Sequence, residues 1–269
     1  MLLVLLACAQ GRPEAYADCV VEVTAISERT EDASYRSVDT YDAAARLVTQ
    51  RQEDLAGEWS SEATFVYDGP CLLEEHLVSE SGGDVWEMDT VTRCDEHGHP
   101  ERTEQSGTAV RADGEEGEVT SVTVYDNQHD AAGRLLRVAT AAPGDPNSLV
   151  VKDHEWGAFC AEPVVTTRTG TDGLRIESTL VCAADGRKLD GSVTGFDASG
   201  ERLGRSTWRR EYDSLGRMVT YAGDDDGDGF DDRVHENTWV DTASPGPAAQ
   251  IARWRDEVTM RWSFAYDCP

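Results

Sequence analysis

One stretch of this sequence places several cation-ligating groups close together: Asp224-Asp225-Asp226-Gly227-Asp228-Gly229-Phe230-Asp231-Asp232. Counting Asp224 as position 1, carboxylates stand at positions 1, 3, 5 and 9 (Asp224, Asp226, Asp228, Asp232). Gly229 at position 6 permits a sharp turn, and the Phe230 carbonyl at position 7 is a further oxygen donor. Oxygen ligands at this spacing can converge on one hard cation, which makes calcium the expected occupant and a structural role the expected one. Position 12 holds His235 where a bidentate carboxylate would close the shell, and Glu236 comes one residue late. The competing reading is a solvated acidic turn between two strands, since Asp and Gly also suit turns.

Other chemistry-bearing residues are sparser. His97-Gly98-His99 beside Glu96 could hold a transition metal, but the segment reads as a turn. Glu74-Glu75 and Glu115-Glu116 could suggest the paired carboxylates of a glycosidase, but in an acidic chain such neighbours arise by chance, and on a strand they point to opposite faces. No nucleophile elbow, phosphate loop, dinucleotide fingerprint or H-E-x-x-H helix occurs, so the chain is expected not to be an enzyme. An envelope hydrolase whose site forms only in three dimensions is the alternative. The formal net charge of −28, from 24 basic and 52 acidic residues, excludes a nucleic-acid partner, which needs basic patches. The same acidity favours divalent cations.

The elements that must carry these residues are strands. Hydrophobic residues make up 39% of 269 positions, and seven Trp and eight Tyr are spread along the chain, which argues against disorder. Val258, Met260, Trp262, Phe264 and Tyr266 alternate with Thr259, Arg261, Ser263 and Ala265; Trp59, Ala63, Phe65 and Tyr67 repeat the pattern. That period-2 alternation predicts half-buried strands, roughly 14–18 of them. The expected fold is all-β: a long antiparallel meander of hairpins, curled or closed so that one face is buried. Aromatic residues at strand spacing are expected in the core more often than on a sugar or aromatic ligand.

A turn unit recurs between the strands: Tyr212-Asp213-Ser214-Leu215-Gly216-Arg217-Met218, Phe196-Asp197-Ala198-Ser199-Gly200, His129-Asp130-Ala131-Ala132-Gly133-Arg134-Leu135, and Tyr41-Asp42-Ala43-Ala44-Ala45-Arg46-Leu47 without the Gly. The aromatic ends one strand, Asp accepts backbone N–H bonds two residues on, and Gly takes the left-handed conformation that closes the hairpin. The Tyr212 copy runs directly towards the aspartate loop, which suggests that the loop is an elaborated end of that same hairpin.

Cysteines extend the pattern. Cys71 and Cys94 are 23 residues apart and Cys160 and Cys182 are 22 apart, each pair in matching contexts, with Cys replacing the aromatic at Cys94-Asp95 and Cys182-Ala183. Bridges Cys71–Cys94 and Cys160–Cys182 are expected, leaving Cys19 and Cys268 to pair or stay free. Disulfides imply an oxidising compartment. The matched spacings suggest a duplication, with halves 19–142 and 149–269 of a domain spanning 19–269.

The N-terminal run MLLVLLA followed by Cys8 resembles a bacterial lipoprotein signal, with Leu5-Leu6-Ala7-Cys8 as the lipobox. On that reading residues 1–7 are the signal, Cys8 carries the lipid, and 8–18 form a tether. Ordinary cleavage after Ala7-Cys8-Ala9, or a buried strand, are the alternatives. The Tyr-Asp-x-x-Gly-Arg units resemble the YD repeats of Rhs-type bacterial surface and toxin-shell proteins. That resemblance implies a long curling antiparallel sheet in a surface or secretion setting, with no catalysis by the repeats. The expectation is therefore a lipid-anchored cell-envelope protein, outer-membrane or surface-exposed, acting as a structural or binding module for a protein or carbohydrate. A toxin-associated protein is a further alternative.

Overall fold

The computed structural model describes residues 16–28, 34–240 and 245–268. Cys8 and the proposed signal segment lie outside them. Eighteen strands follow one another along the chain: β1 (Val20–Ser27), β2 (Tyr35–Tyr41), β3 (Leu47–Asp54), β4 (Trp59–Asp68), β5 (Cys71–Ser81), β6 (Asp84–Cys94), β7 (Pro100–Val110), β8 (Glu116–His129) and β9 (Leu135–Ala141), then β10 (Val150–Trp156), β11 (Pro163–Gly170), β12 (Arg175–Cys182), β13 (Lys188–Phe196), β14 (Arg202–Tyr212), β15 (Met218–Asp224), β16 (Arg233–Thr238), β17 (Ala249–Trp254) and β18 (Glu257–Asp267). Each strand pairs antiparallel with the next, and β18 returns to pair with β1 from Val20↔Asp267 to Ser27↔Met260, closing the sheet into a barrel. Of the two expected outcomes, curled or closed, the sheet is closed. The loop after β9, expected to separate duplicated halves, is spanned by the ladder, since β10 pairs with β9 at Val150↔Thr140.

The recurring turns form as their chemistry dictates. The Asp213 carboxylate accepts from the backbone N–H of Leu215 and of Arg217, and Asp42 and Asp130 do the same in their copies. Gly133 and Gly216 sit at φ of 77° and 80°; where the Gly is missing, Ala45 is held at 58°, a region that costs a side-chain-bearing residue about 1–2 kcal/mol. These contacts hold the Asp42, Asp130 and Asp213 carboxyls below the usual range: at Asp42 chiefly through the Arg46 side chain, at the others chiefly through the Arg134 and Arg217 backbone N–H.

The turn arginines also have a role that spacing within one turn does not reveal. Each lies over an aromatic ring at or next to the end of a later strand on the same rim: Arg46 over Tyr67 (4.8 Å), Arg134 over Trp156 (5.3 Å), Arg187 over Tyr212 (5.0 Å) and Arg217 over Trp239 (5.0 Å). Three of those rings then donate to the backbone carbonyl just after the arginine: Trp156 to Leu135, Tyr212 to Lys188 and Trp239 to Met218. The rim at which β1 begins and β18 ends is thus tied turn to turn by cation–π and hydrogen-bond links.

The three disulfides brace this same rim. Cys71 bonds Cys94 and Cys160 bonds Cys182, each at the open end of a hairpin, and Cys19 bonds Cys268 beside the β1–β18 seam. The aspartate loop, by contrast, joins β15 to β16 at the opposite rim. It does not extend the Tyr212 turn: β15 runs between them, seven residues or about 23 Å of extended chain.

Register decides which side chains face inward, because directly paired residues share a face. On β1, Val21, Val23 and Ala25 are buried, while Val20 and Ile26 on the other face are exposed. Ala25 pairs with Trp262 and Tyr35, and Val23 with Phe264 and Ser37. The buried residues Tyr16, Cys19, Val21, Val23, Ala25, Ala252 and Trp262 form an apolar cluster on the inner wall beneath the seam.

Candidate functional site

The inner wall of β1 to β5 and β18 forms a pocket of about 640 Å³, within the range of small-ligand sites. Strand alternation places its walls: Tyr35, Ser37, Asp39 and Tyr41 recur every second residue of β2, and Gln50 and Gln52 of β3 lie opposite Asp39 and Ser37. Tyr16, Tyr41, Trp59, Phe65, Phe264 and Tyr266 supply rings, with Tyr16 and Tyr41 at 5.4 Å and Phe264 and Tyr266 stacked at 6.4 Å. Asp39 is only 6% exposed, and its Oδ1 accepts from Ser37 Oγ (2.7 Å) and Gln50 Nε2 (3.1 Å). Burial pushes its carboxyl up, and burial likewise raises the Tyr16 hydroxyl to about 12. Glu75 of β5 is the other carboxylate in the lining.

These two acids do not form a hydrolytic pair. Asp39 pairs with Gln50, Gln50 with Ala63 and Ala63 with Leu77, so Glu75, one same-face step from Leu77, stands three strands away. At about 4.8 Å per strand that is roughly 14 Å along the sheet, beyond the roughly 5–9.5 Å between glycosidase carboxylates. Glu74 sits on the outer face, as adjacency on a strand requires.

The outer face has the opposite character. It carries charged side chains that pair across neighbouring strands: Arg36 with Glu22 (3.0 Å), His76 with Asp89 (2.7 Å), Arg137 with Asp153 (3.3 Å) and Arg253 with Glu236 (3.1 Å). Each exposed pair contributes little to stability. A lipid-spanning barrel carries an apolar band outside; here the charged pairs share the outer face with exposed apolar residues such as Val20, Ile26, Val66 and Val91.

Of the predicted cation ligands, the structure gathers Asp224, Asp226 and Asp232, which offer oxygens within 4.8 Å of one another. Asp228 is not in that group; its carboxylate accepts from Phe230 N (2.8 Å). The Phe230 side chain points to solvent, 77% exposed. Asp224 accepts from the N–H of Gly227 and of Gly229, which shapes the loop. Three arginines invisible to a local reading meet the loop: Arg255 reaches Asp232 (2.8 Å) and Asp226 (3.2 Å), Arg209 clasps Asp231 with two bonds, and Arg233 holds Asp225. The Arg255 side chain keeps the Asp232 carboxyl below its ordinary range.

The His97-Gly98-His99 turn joins β6 to β7 and is met by His129 at the end of β8, with ring centroids 4.5 Å and 5.1 Å away. The Asp39 pocket was not among the sites expected from sequence. Its one local signal is a polar residue recurring on the inward period of β2 between two tyrosines.

No family model and no curated protein matches this chain. Among solved structures, it resembles a porin-like protein from Bacteroides uniformis at 10% identity and a TM-score of 0.40, covering 93% of this chain and 98% of that one. A porin-like protein from Bacteroides vulgatus gives a TM-score of 0.39 at 10% identity, covering 93% and 99%. A TcdB2-TccC3-Cdc42 complex gives 0.17 at 14% identity, covering 84% of this chain and 17% of that one. At scores this low the likeness carries no argument, and the chemistry of the site rests on the residues themselves.

Proposed function

We propose that this chain is a non-catalytic binding module of the cell envelope, held at the membrane by a lipid on Cys8, with its ligand site in the pocket on the inner wall. The observation that carries this reading is the polarity of the two faces. Charged pairs line the outside, while rings, Asp39 and two glutamines line a concavity inside. Such an outer face has no reason to enter lipid. Membrane contact then runs through the acyl chain, and the chain leaves the barrel at the rim where Cys19 is bonded to Cys268.

Fractionation tests this. The wild-type chain is expected in the envelope fraction, and a Cys8→Ala variant, with its export signal otherwise retained, is expected in the soluble fraction without detergent. A variant that still needs detergent for extraction would overturn the reading, because it would place the barrel itself in lipid.

Within this proposal the aspartate loop holds a structural calcium ion, with Asp224, Asp226 and Asp232 as ligands and Asp228 and the Phe230 carbonyl completing the shell. Affinity should be weak, about 10⁻⁴–10⁻³ M, as in extracellular modules. Millimolar calcium is expected to raise the melting temperature and EDTA to reverse the gain. An unchanged melting temperature together with no heat on calorimetric titration would remove the ion from the proposal.

A further inference from the structure

We infer that the inner-wall pocket takes a small organic cation, an amine or quaternary ammonium on an apolar or aromatic body. This names the ligand class of the site proposed above and rests on that reading.

Charge complementarity carries it. The described lining contains two carboxylates, Asp39 and Glu75, and no Lys, Arg or His. Asp39 is buried, and its two hydrogen bonds come from a hydroxyl and an amide, both neutral and both on Oδ1. Oδ2 has no described donor. A carboxylate removed from water without a counter-charge is costly, and burial raises this one accordingly. Of the other buried aspartates among the described residues, Asp232 faces an arginine, while Asp54 and Asp224 each accept two backbone N–H groups. The pocket acid has only a side-chain hydroxyl and a side-chain amide, both on one oxygen, and is left to face a cation that arrives from outside.

The surroundings fit a cation better than a sugar. Tyr35 and Tyr41 flank Asp39 on the same face of β2, and both phenols feel its charge. Ring faces carry negative potential and attract a cation, an attraction that strengthens in a desolvated site. Tyr16 and Tyr266 extend the ring cluster beside Tyr41. A neutral polyol would leave Asp39 as uncompensated as before. The net charge of −28 adds a long-range pull on cations entering the barrel.

The test uses the mature chain and three probes in calorimetric titration, followed also by intrinsic tryptophan fluorescence: benzyltrimethylammonium, benzyl alcohol as a neutral aromatic, and cellobiose as a sugar. The cation is expected to bind at least about tenfold more tightly than either neutral probe. Asp39→Asn, which keeps the shape and the Ser37 and Gln50 neighbours, should weaken cation binding by about tenfold; Glu75→Gln should weaken it less. The inference is overturned, with the binding-module reading intact, if benzyl alcohol or cellobiose binds as tightly as the cation. The same holds if both variants bind the cation as the wild type does. If no probe binds the wild-type chain, the inference and the pocket's role as a ligand site fall together.

Discussion

Replacing Cys19 and Cys268 by serine is expected to cost more stability than removing either of the other disulfides. The reason is loop size. This bridge joins residues 249 apart, whereas Cys71–Cys94 and Cys160–Cys182 close loops of 23 and 22. On the chain-entropy model the long closure contributes about 5 kcal/mol and each short one about 3 kcal/mol. Position adds to this. Only the β1–β18 ladder closes the ring, and both of its strands are terminal, so without the bridge they can fray together. Cys19 is fully buried within the apolar cluster under that seam, so fraying also exposes Val21, Val23 and Ala25. Urea unfolding of Cys19→Ser/Cys268→Ser against Cys71→Ser/Cys94→Ser checks the ranking. An equal or larger loss for the short-loop variant would show that seam closure does not dominate.

Trp262→Ala is the second large effect, expected at about 3–5 kcal/mol, or on the order of 10 °C in melting temperature. Trp262 is 8% exposed on the inner face of β18, directly paired with Ala25 and Gln250. Its indole stacks on His235 at 5.9 Å and its Nε1 donates to the Tyr35 hydroxyl at 3.3 Å. Deleting the ring therefore opens a cavity and leaves the half-buried His235 without its cover. His235 is held below the usual imidazole range, chiefly by burial. Trp86→Ala is the control: that ring is 44% exposed on β6, and its removal should change stability by about 1 kcal/mol or less. A thermal melt in which the two variants lose similar amounts would contradict the assignment of the seam cluster as the main core.

Both expectations follow from how little of this barrel is buried. Among the described residues the buried apolar side chains gather chiefly in one compact cluster, and it lies where the first and last strands pair. A flat alternation such as that of β18 reveals that a strand has two faces of different polarity. It does not reveal that Trp262 on that strand is core while Phe264 and Tyr266, two and four residues on, line a cavity. The difference arises from what stands across the ladder: Ala25 and Tyr35 close over Trp262, whereas Val23, Ser37 and Asp39 leave room. The pocket was illegible for the same reason, as its walls come from six strands and its acid from a residue with no special neighbours in sequence.

What the sequence determined by itself was the chemistry acting within a few residues. Asp at the second position of the recurring turns, with Gly three residues on in all but the Tyr41 copy, dictates the hairpins, because there the Asp carboxylate accepts the backbone N–H groups two and four residues on. Period-2 alternation dictates strands, and the paired spacings of Cys71–Cys94 and Cys160–Cys182 belong to single hairpins. Only the tertiary structure decided what depends on partners far along the chain. It closed the sheet by bringing β18 to β1, joined Cys19 to Cys268, set each turn arginine over a ring some 21–25 residues later, and placed Arg209, Arg233 and Arg255 on the aspartate loop. It also chose which face of the alternating strands looks inward. Turn geometry is local, whereas the inside of a closed sheet exists only once its first and last strands have met.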